Sequence, residues 1–150
     1  MQGVDGSDDL PTAKGHCVKW SPITGIDSIC ADVGLMFKPP WRLVVRMYFS
    51  LVRGHPPKDL LLEFENVASF RHERELFYGS CLPDELPRFD GKQVAFPLLI
   101  VEDSPWAKRL ADRHPQGEGC IHYAFISLGD TVEVLAPPPV RVDWVPATDE

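Results

Sequence analysis

VAFPLLIVEDSPWAKRLADRHPQGEGCIHYAFISLGDTVEVLAPPPVRVDWV, residues 94–145, decides the fold of this chain. Val94 to Val101 is a continuous apolar run of strand length, which marks a strand covered on both faces. Pro97 moves it toward a sheet edge, because proline cannot donate to a ladder. Ser104-Pro105 is a helix start: Ser caps free N–H groups, and Pro suits the first helical position. Trp106 and Leu110 form the buried stripe of that helix, with Lys108, Arg109, Asp112 and Arg113 on the wet side. Pro115 and Gly117 end it. Ile121, Tyr123 and Phe125 alternate with His122, Ala124 and Ile126. Gly129-Asp130 is a two-residue turn signal, with Gly where a type II′ turn requires it. Val132 and Val134 resume the alternation, Pro137-Pro138-Pro139 breaks it, and Val140, Val142 and Trp144 make a last strand.

Working outward, Arg42 to Arg53 reads as a strand with Leu43, Val45, Met47, Phe49 and Leu51 on one face. Gly54-His55-Pro56-Pro57 is a turn, and Leu60, Leu62 and Phe64 repeat the alternation, so 42–65 is predicted to be a β-hairpin. Asn66 marks a bend, after which Val67 to His72 is extended. Ile23, Ile26, Ile29 and Cys30 are spaced like one face of a short helix capped by Thr24, while Ile29 to Phe37 reads equally as a strand. The expected strands are 42–53, 58–65, 67–72, 94–101, 120–128, 131–136 and 140–145. The fold class is α+β: a β-rich, mainly antiparallel sheet, curved or folded on itself like a sandwich meander, with one principal helix at 104–113. Residues 1–14 read as a mobile acidic tail, 15–146 as a single globular domain and 147–150 as a tail.

The apolar fraction of 44% is that of an ordinary globular chain, and no run approaches a membrane span of roughly 20 residues. The N-terminus lacks an apolar secretory region, so a cytoplasmic location is expected. Cys17, Cys30, Cys81 and Cys120 are irregularly spaced and read as reduced, packed thiols. Five of the 22 acids lie in the tails, and residues 59–90 hold eight acids against three bases. A broad basic surface for nucleic acid is absent from this pattern, whereas an acidic local face is present. Pro83, Pro87 and Gly91 make 73–92 a long loop, and long loops are often functional.

The chemistry-bearing residues are scattered. Ser104 lacks the flanking glycines of a nucleophile elbow and reads as a cap. Cys120 and His122 share a strand face, but two ligands do not make a metal site, so neither metal nor cofactor is expected. His72, Glu73 and Glu75 read as a charged strand end beside Arg71 and Arg74. No catalytic residue is assigned.

His122-Tyr123-Ala124-Phe125-Ile126, followed by Thr131-Val132-Glu133-Val134-Leu135-Ala136, resembles the closing hairpin of small uncharacterised bacterial β-rich proteins. Some relatives of that appearance are immunity proteins of polymorphic toxin systems, and Glu102-Asp103-Ser104-Pro105-Trp106 is similar to their strand-to-helix step. With the acidic block and long loop at 59–90 and no catalytic pattern, the resemblance implies a non-enzymatic, immunity- or inhibitor-like module that binds a protein partner such as a cognate toxin; the charge balance and the short apolar runs argue against nucleic acid and membrane. The expected contact residues are Glu63, Glu65, Glu73, Glu75, Phe77, Tyr78, Asp84, Glu85 and Phe89. The alternative is a small-molecule-binding domain or enzyme with its pocket in the curved sheet.

Overall fold

Alternating apolar residues build two antiparallel sheets in a computed structural model that describes residues 15–74 and 86–147. Nine strands are described: β1 (His16–Lys19), β2 (Val33–Lys38), β3 (Arg42–Met47), β4 (Lys58–Phe64), β5 (Ser69–Arg74), β6 (Leu98–Glu102), β7 (Ile121–Ile126), β8 (Asp130–Ala136) and β9 (Arg141–Pro146). Helix α1 (Pro105–Arg113) lies between β6 and β7. One sheet has the order β9-β4-β3-β2 and the other β1-β6-β7-β8-β5. The β-rich α+β class expected above is therefore the observed one.

The sheets meet through the inward residues of each strand. Leu43, Val45 and Met47 on β3 and Leu60, Leu62 and Phe64 on β4 are fully buried. Phe64 reaches the facing sheet, with its ring 5.1 Å from Tyr123 and 6.2 Å from Phe125. Trp20 packs on the same Tyr123 at 4.6 Å. Because Tyr123 and Phe125 point inward, His122 and Ala124 take the opposite face of β7, since successive side chains alternate. That outer face is covered as well: Leu99, Ala124 and Leu135 are fully buried.

The hairpin of β3 and β4 forms in the register Leu43 opposite Phe64. The β3 strand stops at Met47, six residues short of the expected end. Phe49 N–H donates to Met47 O and Val52 N–H to Phe49 O, so the backbone turns instead of continuing extended. Phe49 stays in the core, but Leu51 is 67% exposed, contrary to its predicted inward position. Buried Asp59 anchors this corner: it accepts from Ser50 N–H at 2.9 Å and from Arg46 Nε and Nη2 at 3.1 and 3.0 Å. Arg46 also donates to Pro146 O, which ties β9 to the same point.

The predicted helix near 23–30 does not form. Its carbonyls serve other partners: Thr24 O accepts from Trp144 Nε1 at 2.7 Å, and Cys30 O accepts from Leu128 N–H at 3.0 Å. Gly25, at φ +98, also lies outside helical space. The following residues take the strand alternative, as β2.

Asn66 is the predicted bend, with φ +56, and there the chain leaves one sheet for the other. The β7–β8 turn differs in detail. Ser127 faces Asp130 across a loop of Leu128 and Gly129, closed by Asp130 N–H donating to Ser127 Oγ and by Ser127 N–H and Oγ–H donating to Asp130 O. Gly129 is not in the left-handed region that a type II′ turn needs at its first central position. The strand at Leu98–Glu102 begins after Pro97 and lies between β1 and β7, not at the expected edge; the Pro97 carbonyl still accepts from Ile126 N–H at 2.8 Å.

Candidate functional site

Four of the residues expected to meet a partner are described, and they do not make one uniformly acidic face. Glu63 on β4 pairs with Arg42, whose Nε also lies 3.7 Å from Glu65. One guanidinium thus offsets both carboxylates. Glu73 is half-buried on β5. The Phe89 ring lies tilted against Phe96 at 4.9 Å and packs against the protein's own core. Glu75, Phe77, Tyr78, Asp84 and Glu85 lie outside the described residues.

A different surface gathers apolar side chains. The β2–β3 turn, Pro39-Pro40-Trp41, holds Trp41 at φ +63. Trp41 O accepts from Val67 N–H at 2.9 Å, which fixes the turn against the crossing between sheets. The Phe37 ring lies 6.3 Å from Trp41 and 6.1 Å from Phe70 on β5. β2 and β5 are the edge strands of their respective sheets, so this cluster sits at the seam of the sandwich. Phe37, Phe70 and Trp41 remain 45, 37 and 62% exposed. Contacts among the three rings order them, and their exposed area has no cover among the described residues.

The third feature is a buried polar array on the outer face of the five-stranded sheet. Ser104, His122 and Glu133 are 4, 2 and 1% exposed. Ser104 Oγ accepts from Ala107 N–H at 3.1 Å, as a helix cap does. The same oxygen lies 2.6 Å from His122 Nδ1, and His122 Nε2 lies 2.7 Å from Glu133 Oε1. The carboxylate can only accept, so the proton belongs on Nε2, and Nδ1 then accepts from the Ser104 hydroxyl. Arg71 on β5 donates to Glu133 at 3.3 Å, and its guanidinium carbon lies 4.3 Å from the Trp106 ring centre. Trp106 meets His122 edge-on at 5.1 Å. Glu133 Oε2 has no hydrogen-bond partner among the described residues. Burial, with a smaller contribution from the Glu133 charge, pushes the Cys17 thiol up to about 11.

An open groove of about 550 Å³ runs between helix α1 and the start of β7, and both Ser104 and His122 line it. Its wall includes Gly117 in the short 3-10 turn Pro115–Gly117. A Cβ at Gly117 would lie 2.8 Å from Leu110, so only glycine lets the turn close on the helix.

Local pattern marks Ser104 as a cap and His122 as a strand residue, but nothing in it joins them to Glu133. Only the β7–β8 pairing, with Ala124 opposite Glu133, places that carboxylate one diagonal step from His122. The aromatic seam was equally silent, because Phe37 and Phe70 belong to different sheets. No group of three or more His, Cys, Asp and Glu side chains able to hold a metal ion occurs among the described residues. Comparison with protein-family models, with curated proteins and with solved structures finds no match.

Proposed function

We propose that this chain is a protein-binding module of the immunity or inhibitor kind, whose partner docks on the seam between β2 and β5. The observation that carries the reading is the ordered, exposed cluster of Phe37, Trp41 and Phe70. Aromatic side chains already held in place lose little freedom on binding and dominate interface energetics. Arg42, Glu63 and Glu65 at the neighbouring end of β3 and β4 supply a polar rim of both signs. Binding here needs no chemistry from the chain, which agrees with an inhibitor that acts by occupying its target. The β7–β8 hairpin and the β6-to-α1 step are the segments on which the sequence resemblance rests.

The test takes as candidate partners the proteins encoded on either side of this gene. Titration against the wild-type chain and against a triple variant (Phe37→Ser, Trp41→Ser, Phe70→Ser) should show binding weakened at least about 30-fold, the equivalent of one hot spot of about 2 kcal/mol. Circular dichroism confirms that the variant is folded. Equal affinity in a folded variant removes the seam, and no binding by the wild-type chain removes the immunity reading.

A further inference from the structure

We propose that Ser104 is a reactive nucleophile, with His122 as its general base and Glu133 as the residue that positions His122, in a groove that accepts small uncharged acyl esters. This goes beyond the binding reading and involves a different face of the protein.

Three geometric facts carry it. The hydroxyl and imidazole are already in hydrogen-bond contact at 2.6 Å, within reach for direct proton transfer. The imidazole is held from behind by a buried carboxylate at 2.7 Å, which fixes its tautomer and favours the cation formed when it takes the proton. The carboxylate is in turn held by Arg71 on the edge strand. A serine that merely caps a helix requires none of these partners.

The start of α1 supplies an amide, and the groove beside it supplies the charge that selects the acyl group. Pro105 has no N–H, Ala107 N–H is used by Ser104 Oγ, and Lys108 N–H is used by Ser104 O. Trp106 N–H is therefore the first-turn donor left over, beside the nucleophile and at the positive end of a nine-residue helix. It is the donor for a developing oxyanion. Glu102, Asp103 and Glu118 line the groove against a single base, Lys108, so an anionic acyl group is repelled and a neutral one admitted.

The step balances without a co-reactant other than water. Ser104 Oγ bonds to the ester carbonyl carbon as its proton passes to His122 Nδ1. The carbon–oxygen bond to the leaving group then breaks, and His122 returns the proton to the departing alkoxide. Water, deprotonated by the same nitrogen, then attacks the acyl carbon, the bond to Ser104 Oγ breaks, and His122 returns the proton to Oγ as the acid leaves.

The experiment exposes the intact folded chain to p-nitrophenyl acetate and, separately, to an alkyl fluorophosphonate, with intact-mass measurement and peptide mapping. The urea-unfolded chain supplies the baseline, because there His122 no longer touches Ser104. One adduct per folded chain, mapped to Ser104 and formed at least about a hundredfold faster than in the unfolded chain, is the expected result. His122→Gln should bring the rate down to that baseline, and Ser104→Ala should abolish the adduct. No fluorophosphonate adduct at Ser104 in the folded wild-type chain, or a rate equal to the unfolded baseline, overturns the proposal whether or not either variant folds. Loss of partner binding at the aromatic seam leaves this result untouched, so the two readings fail separately.

Discussion

Ser104 uses one oxygen for two partners, and this sets the size of its mutational effect. Ser104→Ala removes a cap worth roughly 0.5–2 kcal/mol. It also leaves buried His122 Nδ1 unpaired, at a further cost of about 1–3 kcal/mol. Urea denaturation should therefore show a loss larger than a cap alone explains. Phe49 and Leu51 make a second contrast, because the sequence placed both in the core and the structure keeps only Phe49 there. Phe49→Ala should cost about 3–5 kcal/mol, and Leu51→Ala should stay within about 0.5 kcal/mol. Alternation alone made Leu43 to Phe49 legible; the turn bonds after Met47 involve backbone atoms, which leave no mark in side-chain pattern. The buried thiols give a pH effect. Burial pushes Cys30 up to about 12 and Cys17 up to about 11, from an ordinary 9.0. Below pH 9 both states hold these protons, so stability is unaffected; above it the unfolded chain ionises first and stability falls until the folded values are passed. Denaturant midpoints measured between pH 8 and pH 11 should decline, and Cys30→Ala should flatten the decline, if the thiol is the cause.

Among the elements, α1 was the most legible, since Ser-Pro at its start and Pro with Gly at its end are local chemistry. The β1 strand was not foreseen: four residues, His16 to Lys19, are too few to establish a period, and their pairing with β6 supplies what the sequence lacks. The failed helix at 23–30 shows the reverse case, in which a plausible period loses to tertiary partners for its carbonyls. Asn66 is the hinge between the two sheets, and its φ of +56 predicts a specific ranking. Asn66→Gly should be near neutral, because glycine enters the left-handed region freely, whereas Asn66→Val should cost about 1–2 kcal/mol. Chemical denaturation of both variants checks the order; equal midpoints would mean that the crossing does not depend on backbone preference at this residue.

At the level of the whole molecule, the fold class was legible because strand periods and one helix suffice to set it. The sites were not, because each is made by pairing between distant segments. Ser104, His122 and Glu133 come from three successive elements and meet only when β6, β7 and β8 are in register. Phe37 and Phe70 meet only when the two sheets close. The strand order also has a consequence for synthesis of the chain. The partner of β4 on its outer side is β9, with Arg141 opposite Glu63. On a ribosome adding roughly 5–20 residues per second, β4 waits several seconds with an unpaired edge. A nascent chain stalled before Pro137 should thus bind a conformation-independent probe of open strand edges, and release of a chain containing residues 141–146 should end that binding.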